Sequence, residues 1–178
     1  MSDGRFLYAL AHVVTDEDQR AEARQVLQRL AQRDRLPSLH FADENRSRRA
    51  WLAKQVADLE LTGSIVVSQT SARSKLEECR SRLLVAGAVS LQQNEHVSQL
   101  VVESRNQADK NDRKAVDVAR ARRELTGQLH VDFARKSADP MLWVADVVAS
   151  AFTTADKGGD SEPWDVLNDA HVIEVRRL

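Results

Sequence analysis

Three stretches of the 178-residue sequence combine residue types that could do chemistry. In LVVESR, residues 100–105, an apolar run ends in the carboxylate of Glu103, followed by a hydroxyl and the guanidinium of Arg105. Open α/β sheets bind ligands beyond the carboxyl ends of their strands, so Glu103 is in position to hold a cation or polar substrate. An ordinary exposed strand end, with Glu103 paired to Arg105 or a nearby lysine, also fits, and spacing slightly favours it. In MLWVADVVASA, Asp146 sits among apolar neighbours. Helical spacing puts Met141, Val144, Ala145, Val148 and Phe152 on a deep stripe, and Trp143, Asp146 and Ser150 opposite. Spacing therefore favours a solvent-facing Asp146. The alternative is a semi-apolar cleft, where a carboxylate is costly unless paired or metal-bound. In LHFADENRSRR, His40, Asp43 and Glu44 precede Arg46, Arg48, Arg49 and, further on, Lys54. That basic patch could hold phosphates; a solvated helix face, with Asp43 or a neighbour as its cap, is the commoner arrangement.

These residues must be positioned by an alternation of strands and helices. FLYALAHVV reads as a buried strand. Thr15 and Asp18 then suit a helix start, and Ala23, Val26, Leu27 and Leu30 form its apolar stripe. After Pro37 the spacing predicts a short extended piece, then a helix over 43–59 with Leu52, Ala53, Val56 and Leu59 on one face. SIVVSQ is a strand opened by Gly63. Residues 73–93 are helical around Leu76, Cys79, Leu83 and Ala86, and HVSQLVVES is the next strand. A charged helix over 108–125 ends at Gly127, with Arg113, Asp117, Arg120 and Glu124 spaced for ion pairs. QLHVDFA is a strand. Asp139-Pro140 starts a helix running to Ala155, DKGGDSEP is a loop, and HVIEVRR is a terminal strand. Such alternation predicts an α/β fold with a largely parallel or mixed sheet of about five strands, flanked by long helices in three layers.

Bulk properties narrow the function classes. The length fits one domain, residues 1–178. A net charge of −1 gives no global field for nucleic acid or acidic membranes, so any basic surface is local. The single cysteine, Cys79, excludes an intrachain disulfide and a cysteine-built zinc cage; its place in a helical pattern points to burial. No signal-peptide pattern opens the chain and no apolar run spans a bilayer, so a cytoplasmic protein without a membrane partner is expected. GxGxxG, GxxxxGK, HExxH and GxSxG are all absent, and the five histidines show no metal-ligand spacing.

Taken in order, FLYALAHVV, LHF, VVESR, the DKNDR helix start and ADPMLWVADVVASA resemble the bacterial family called domain of unknown function 3800, of the ribonuclease H-like superfamily. The resemblance covers about Phe6 to Ala151, and its most specific part is the Ala145-Asp146 pair of the last helix. It implies a ribonuclease H-like three-layer fold. It also implies acidic residues converging on Mg²⁺ or Mn²⁺ to activate water against a phosphodiester, a task for oxygen ligands. Carried over, Glu103 and Asp146 are catalytic metal ligands, with Asp139 an auxiliary ligand or a cap. His40 matches a catalytic histidine, and Arg105, Arg46 and Arg49 would contact phosphate. One departure is marked. The family's opening Asp-Glu-Ser-Gly-like strand has no counterpart here, since only SDG precedes RFLYALAHVV. Two carboxylates seldom suffice for two-metal chemistry, which sets two expectations side by side. One is a divalent-metal nuclease acting on nucleic acid. The other is a non-catalytic interaction or scaffold module that binds a protein partner, with an apolar patch near Trp143 or Trp164, or self-associates through an open sheet edge.

Overall fold

The computed structural model describes residues 6–34, 40–105, 108–170 and 173–178. Among them five strands and six α-helices follow in the order β1 (Phe6–Val14), α1 (Glu17–Asp34), α2 (Arg46–Ala57), β2 (Thr62–Thr70), α3 (Leu76–Asn94), β3 (Gln99–Glu103), α4 (Asp109–Ala121), β4 (His130–Ala134), α5 (Met141–Asp156), α6 (Glu162–Asp169) and β5 (Ile173–Arg177). The expected α/β class is observed, but the strands do not form one central sheet of about five. Among the described residues they form a three-stranded sheet, in the order β1–β2–β5, and a separate β3–β4 pair. Hydrophobic pattern reveals where strands form, whereas sheet membership depends on which edges hydrogen-bond. The β3–β4 pair is parallel, with Gln99 opposite His130 and Glu103 opposite Ala134. Helix α4 supplies the crossover that a parallel pair requires.

The chain divides into two compact units. The described residues of the first are 6–10, 66–135 and 176–178; those of the second are 11–65, 136–170 and 173–175. In the first unit, Leu84 and Ala88 of α3 pack with Val102 of β3, with Val116 and Ala119 of α4, and with Leu125 and Leu129. Cys79 is buried and free, as its helical setting predicts. In the second unit, α5 packs against α1, α2 and α6.

Several local details differ from expectation. The capping residue of α1 is Asp16, not Thr15. Its Oδ1 accepts from Gln19 N at 2.8 Å while Asp16 N donates back to Gln19 Oε1, a reciprocal capping box. Helix α2 starts after Asn45, whose Oδ1 accepts from Arg48 N, so the 43–45 stretch does cap a helix, but through Asn45. Phe41–Asp43 is a 3₁₀ turn and not an extended piece. Helix α4 stops at Ala121, well before Gly127, because Arg123 takes a left-handed φ of 61°. The GGDSEP stretch leads into α6, with Pro163 in its first turn. No helix among the described residues is long and apolar enough to cross a membrane.

Candidate functional site

In the second unit the residues around α5 converge. Asp139 does cap the helix: its Oδ1 accepts from Met141 N at 3.0 Å. Arg24 of α1 also grips it, with Nε at 3.2 Å from Oδ1 and Nη2 at 2.6 Å from Oδ2. One turn on, Trp143 is 4% exposed and its indole N–H donates to the Lys136 carbonyl at 2.7 Å. Trp143 and Asp146 are three residues apart and share a helix face. Lys136 is thus held at both ends, its carbonyl by Trp143 and its ammonium by Asp146, with Nζ 2.6 Å from Oδ2. Asp146 is thus neither fully solvent-facing nor buried, its side chain 25% exposed and paired. Trp143 is buried and forms no exposed patch. Trp164 packs edge-on against Phe152, their ring centres 5.1 Å apart.

His40 joins this centre, its Nδ1 lying 3.2 Å from Lys136 Nζ. Nδ1 accepts that proton when the imidazole carries its own on Nε2. Phe41 N donates to Asp146 Oδ2 at 3.4 Å, and Arg49 fastens the turn by donating to the carbonyls of Phe41 (3.1 Å) and Ala42 (2.6 Å). Two residues expected at one site, His40 and Asp146, are thus brought together by a third, Lys136, that no motif flagged. A divalent cation on Asp146 Oδ2 would meet the Lys136 ammonium at the same oxygen, so binding there requires Lys136 to move or to lose its proton.

The basic patch of α2 has partners within the chain. Arg46 reaches Asp160 (3.1 Å) and Glu162 (3.4 Å). Arg48 stacks over Trp51 at 4.0 Å, and Arg33 lies over the same ring at 4.8 Å. Burial, and then the neighbouring Arg33 charge, lower the Arg48 pKa.

Glu103 and Arg105 belong to the first unit, where they close β3 beside the start of α4. The pairing expected between them is replaced: Arg105 makes a two-pronged contact with Glu77 of α3, at 3.1 and 2.8 Å. Asp109 folds back over the turn, accepting from Ser104 Oγ at 2.5 Å and Arg105 N at 2.8 Å. Beneath lies a buried ion pair, Arg80 Nε to Asp112 Oδ2 at 2.8 Å. Arg80 also donates to Tyr8 Oη (3.4 Å) and to the Glu103 carbonyl (3.3 Å). Burial works against the Arg80 charge, but hydrogen bonds to Tyr8 and Asp112 outweigh it and raise its pKa.

Among the described residues no group of three or more His, Cys, Asp or Glu side chains is placed to hold a metal ion. No family model, curated protein or solved structure matches the chain.

Proposed function

We propose that this chain is a ribonuclease H-like protein working as a non-catalytic interaction module, in which an internal ammonium takes the place of a metal at the last-helix aspartate. The ordered resemblance from FLYALAHVV through VVESR to ADPMLWVADVVASA supports the ancestry and its three-layer arrangement. The observation that carries the functional reading is the Lys136–Asp146 ion pair at 2.6 Å, with side chains 11% and 25% exposed. Such a pair holds α5 against the segment after β4 without any cofactor. The other carboxylate on this helix end, Asp139, is likewise neutralised by Arg24. Fold ancestry alone does not carry activity.

A second reading is favoured by the meeting of His40 and Asp146 on one ammonium. It is a Mg²⁺- or Mn²⁺-dependent nuclease in which Asp146 and Asp139 hold metal, His40 assists the chemistry, and Arg46 and Arg49 contact the phosphodiester backbone. Thermal unfolding with and without millimolar Mg²⁺ or Mn²⁺, on wild type and Asp146→Asn, separates the two. A metal bound to the native state raises the midpoint by linkage. The module reading expects no rise in wild type. A rise that Asp146→Asn abolishes overturns it in favour of the nuclease.

A further inference from the structure

Helix α2 opens with RSRR, so Arg46, Arg48 and Arg49 stand in and just after its first turn, where no acidic residue is found. Arginines there oppose the helix dipole, whose positive end favours carboxylates. Two of the three are offset locally. Arg46 turns to Asp160 and Glu162, and Arg49 to the carbonyls of Phe41 and Ala42. Arg48 takes another course. Its guanidinium lies 4.0 Å from the centre of the Trp51 ring, and that of Arg33, from α1, lies 4.8 Å from the same centre. An aromatic ring attracts cations through its quadrupole but carries no net charge, so two guanidiniums on one ring still repel each other. The lowered Arg48 pKa, caused by burial and then by the Arg33 charge, agrees with that repulsion.

The neighbouring positions add positive charge. Within α1 and α2, the residues three or four positions from Arg33 and Trp51 are Arg29, Leu30, Ser47, Arg48, Lys54 and Gln55, none of them acidic. Such spacings share a helix face. Arg29, Arg33 and Lys54 are exposed, while Arg48 and Trp51 are half-buried. Like charges gathered against a helix dipole stabilise nothing in the folded chain, and local conflicts of this kind are expected where a protein binds something. The chemistry of the cations names the class of ligand. Each guanidinium is a planar fork of N–H donors that matches the oxygens of a phosphate. A phosphate monoester offers three acceptor oxygens and up to two negative charges, which answers two forks better than a single carboxylate does. With the guanidiniums stacked over its ring, Trp51 holds the cations in place and their N–H edges are left to recognise the anion.

We infer that Arg33 and Arg48, held over Trp51, form a binding site for a phosphate dianion, either free or carried as a monoester on a small molecule. The site needs no metal, so it stands or falls apart from both readings of the Asp146 centre. The test is thermal unfolding of the full chain without divalent metal, in inorganic phosphate, in a nucleoside 5′-monophosphate and in chloride at matched ionic strength. Phosphate should raise the midpoint above the chloride value through linkage. A larger rise with the nucleotide identifies a carried phosphate, and an equal rise identifies the free anion. Arg48→Gln should weaken binding by roughly tenfold or more, the worth of a charged hydrogen bond. It should also leave the phosphate-free midpoint unchanged or higher, since one of two repelling charges is gone. Lys157→Gln, an equal charge change on an exposed residue of the same unit, should bind phosphate as wild type does. If Arg48→Gln is less stable without phosphate, Arg33→Gln carries the test and must lose the same binding. A midpoint that phosphate raises no further than chloride does overturns the inference. So does a rise that both arginine variants keep.

Discussion

Lys136 Nζ lies 2.6 Å from Asp146 Oδ2, and the pair joins the segment after β4 to the middle of α5. Because both groups keep some solvent contact, its strength falls between an exposed and a fully buried ion pair. Lys136→Met should cost about 1–3 kcal/mol by leaving the carboxylate uncompensated. Asp146→Leu in the same chain should recover much of that loss. Urea unfolding of the two single variants and the double variant gives the coupling directly. Strictly additive effects would mean that the contact contributes nothing to stability.

The Arg80–Asp112 pair is the stronger case, since both residues are buried among the apolar side chains of the first unit. Asp112→Ala should destabilise by on the order of 3–5 kcal/mol, because Arg80 would be left charged without its carboxylate. Replacing both, Arg80→Met with Asp112→Leu, should be close to neutral, since desolvating the pair offsets much of its attraction. Among the described residues Asp112 Oδ1 is buried without a hydrogen-bond partner, which adds to the cost of keeping the pair. A double variant as unstable as Asp112→Ala would show that the polar network fixes this unit's fold.

Acid sensitivity should come in part from the turn between β3 and α4. Hydrogen bonds from Arg105 lower the Glu77 pKa against a smaller opposing effect of burial. The Ser104 hydroxyl does the same for Asp109, helped by Arg105 N. Both groups bind protons more weakly in the folded chain, so the unfolded chain takes them up first as pH falls. The stabilisation is complete above the ordinary carboxylate range and drains away as pH drops through the lowered folded values. Ser104→Ala should move the Asp109 titration, followed by NMR, back toward the ordinary range and flatten the acid limb of stability against pH. An unmoved Asp109 titration would remove the hydroxyl as the cause.

Most of the elements were legible because their signals are local. The apolar run FLYALAHVV and the stripe Ala23, Val26, Leu27, Leu30 each identify an element within one window. Helix α6 was missed because glycines 158 and 159 read as a loop, although Ser161 directly precedes it and its hydroxyl donates to Asp165 Oδ2 at 2.8 Å. The division of the strands into two sheets is a long-range outcome that no window contains. At the candidate site, residue type and position single out His40, Asp139 and Asp146, whereas their cationic partners Lys136 and Arg24 come from distant stretches. Arg80 and Asp112 did leave a sequence signal. Arg80 sits four residues from both Leu76 and Leu84, and Asp112 four residues before Val116, so each falls on an inward stripe where a charge needs a partner.

Gly63, near the start of β2, tests how tightly the second unit is built around that strand. A Cβ there would lie 2.4 Å from the His12 carbonyl oxygen and 3.1 Å from the Ile173 side chain. The closer neighbour is backbone and cannot rotate away, so Gly63→Ala must displace a strand. Overpacking of this kind should cost about 1–3 kcal/mol. Gly127 is the control, because a Cβ there meets nothing within 4 Å and no left-handed φ holds it. Gly127→Ala should be neutral, or stabilise by about 0.4–1 kcal/mol through the unfolded chain. Thermal midpoints of the two variants should therefore move apart. Equal midpoints would mean that β1 and β2 adjust freely at this crossing, and the close approach of Gly63 to His12 would not constrain the strand.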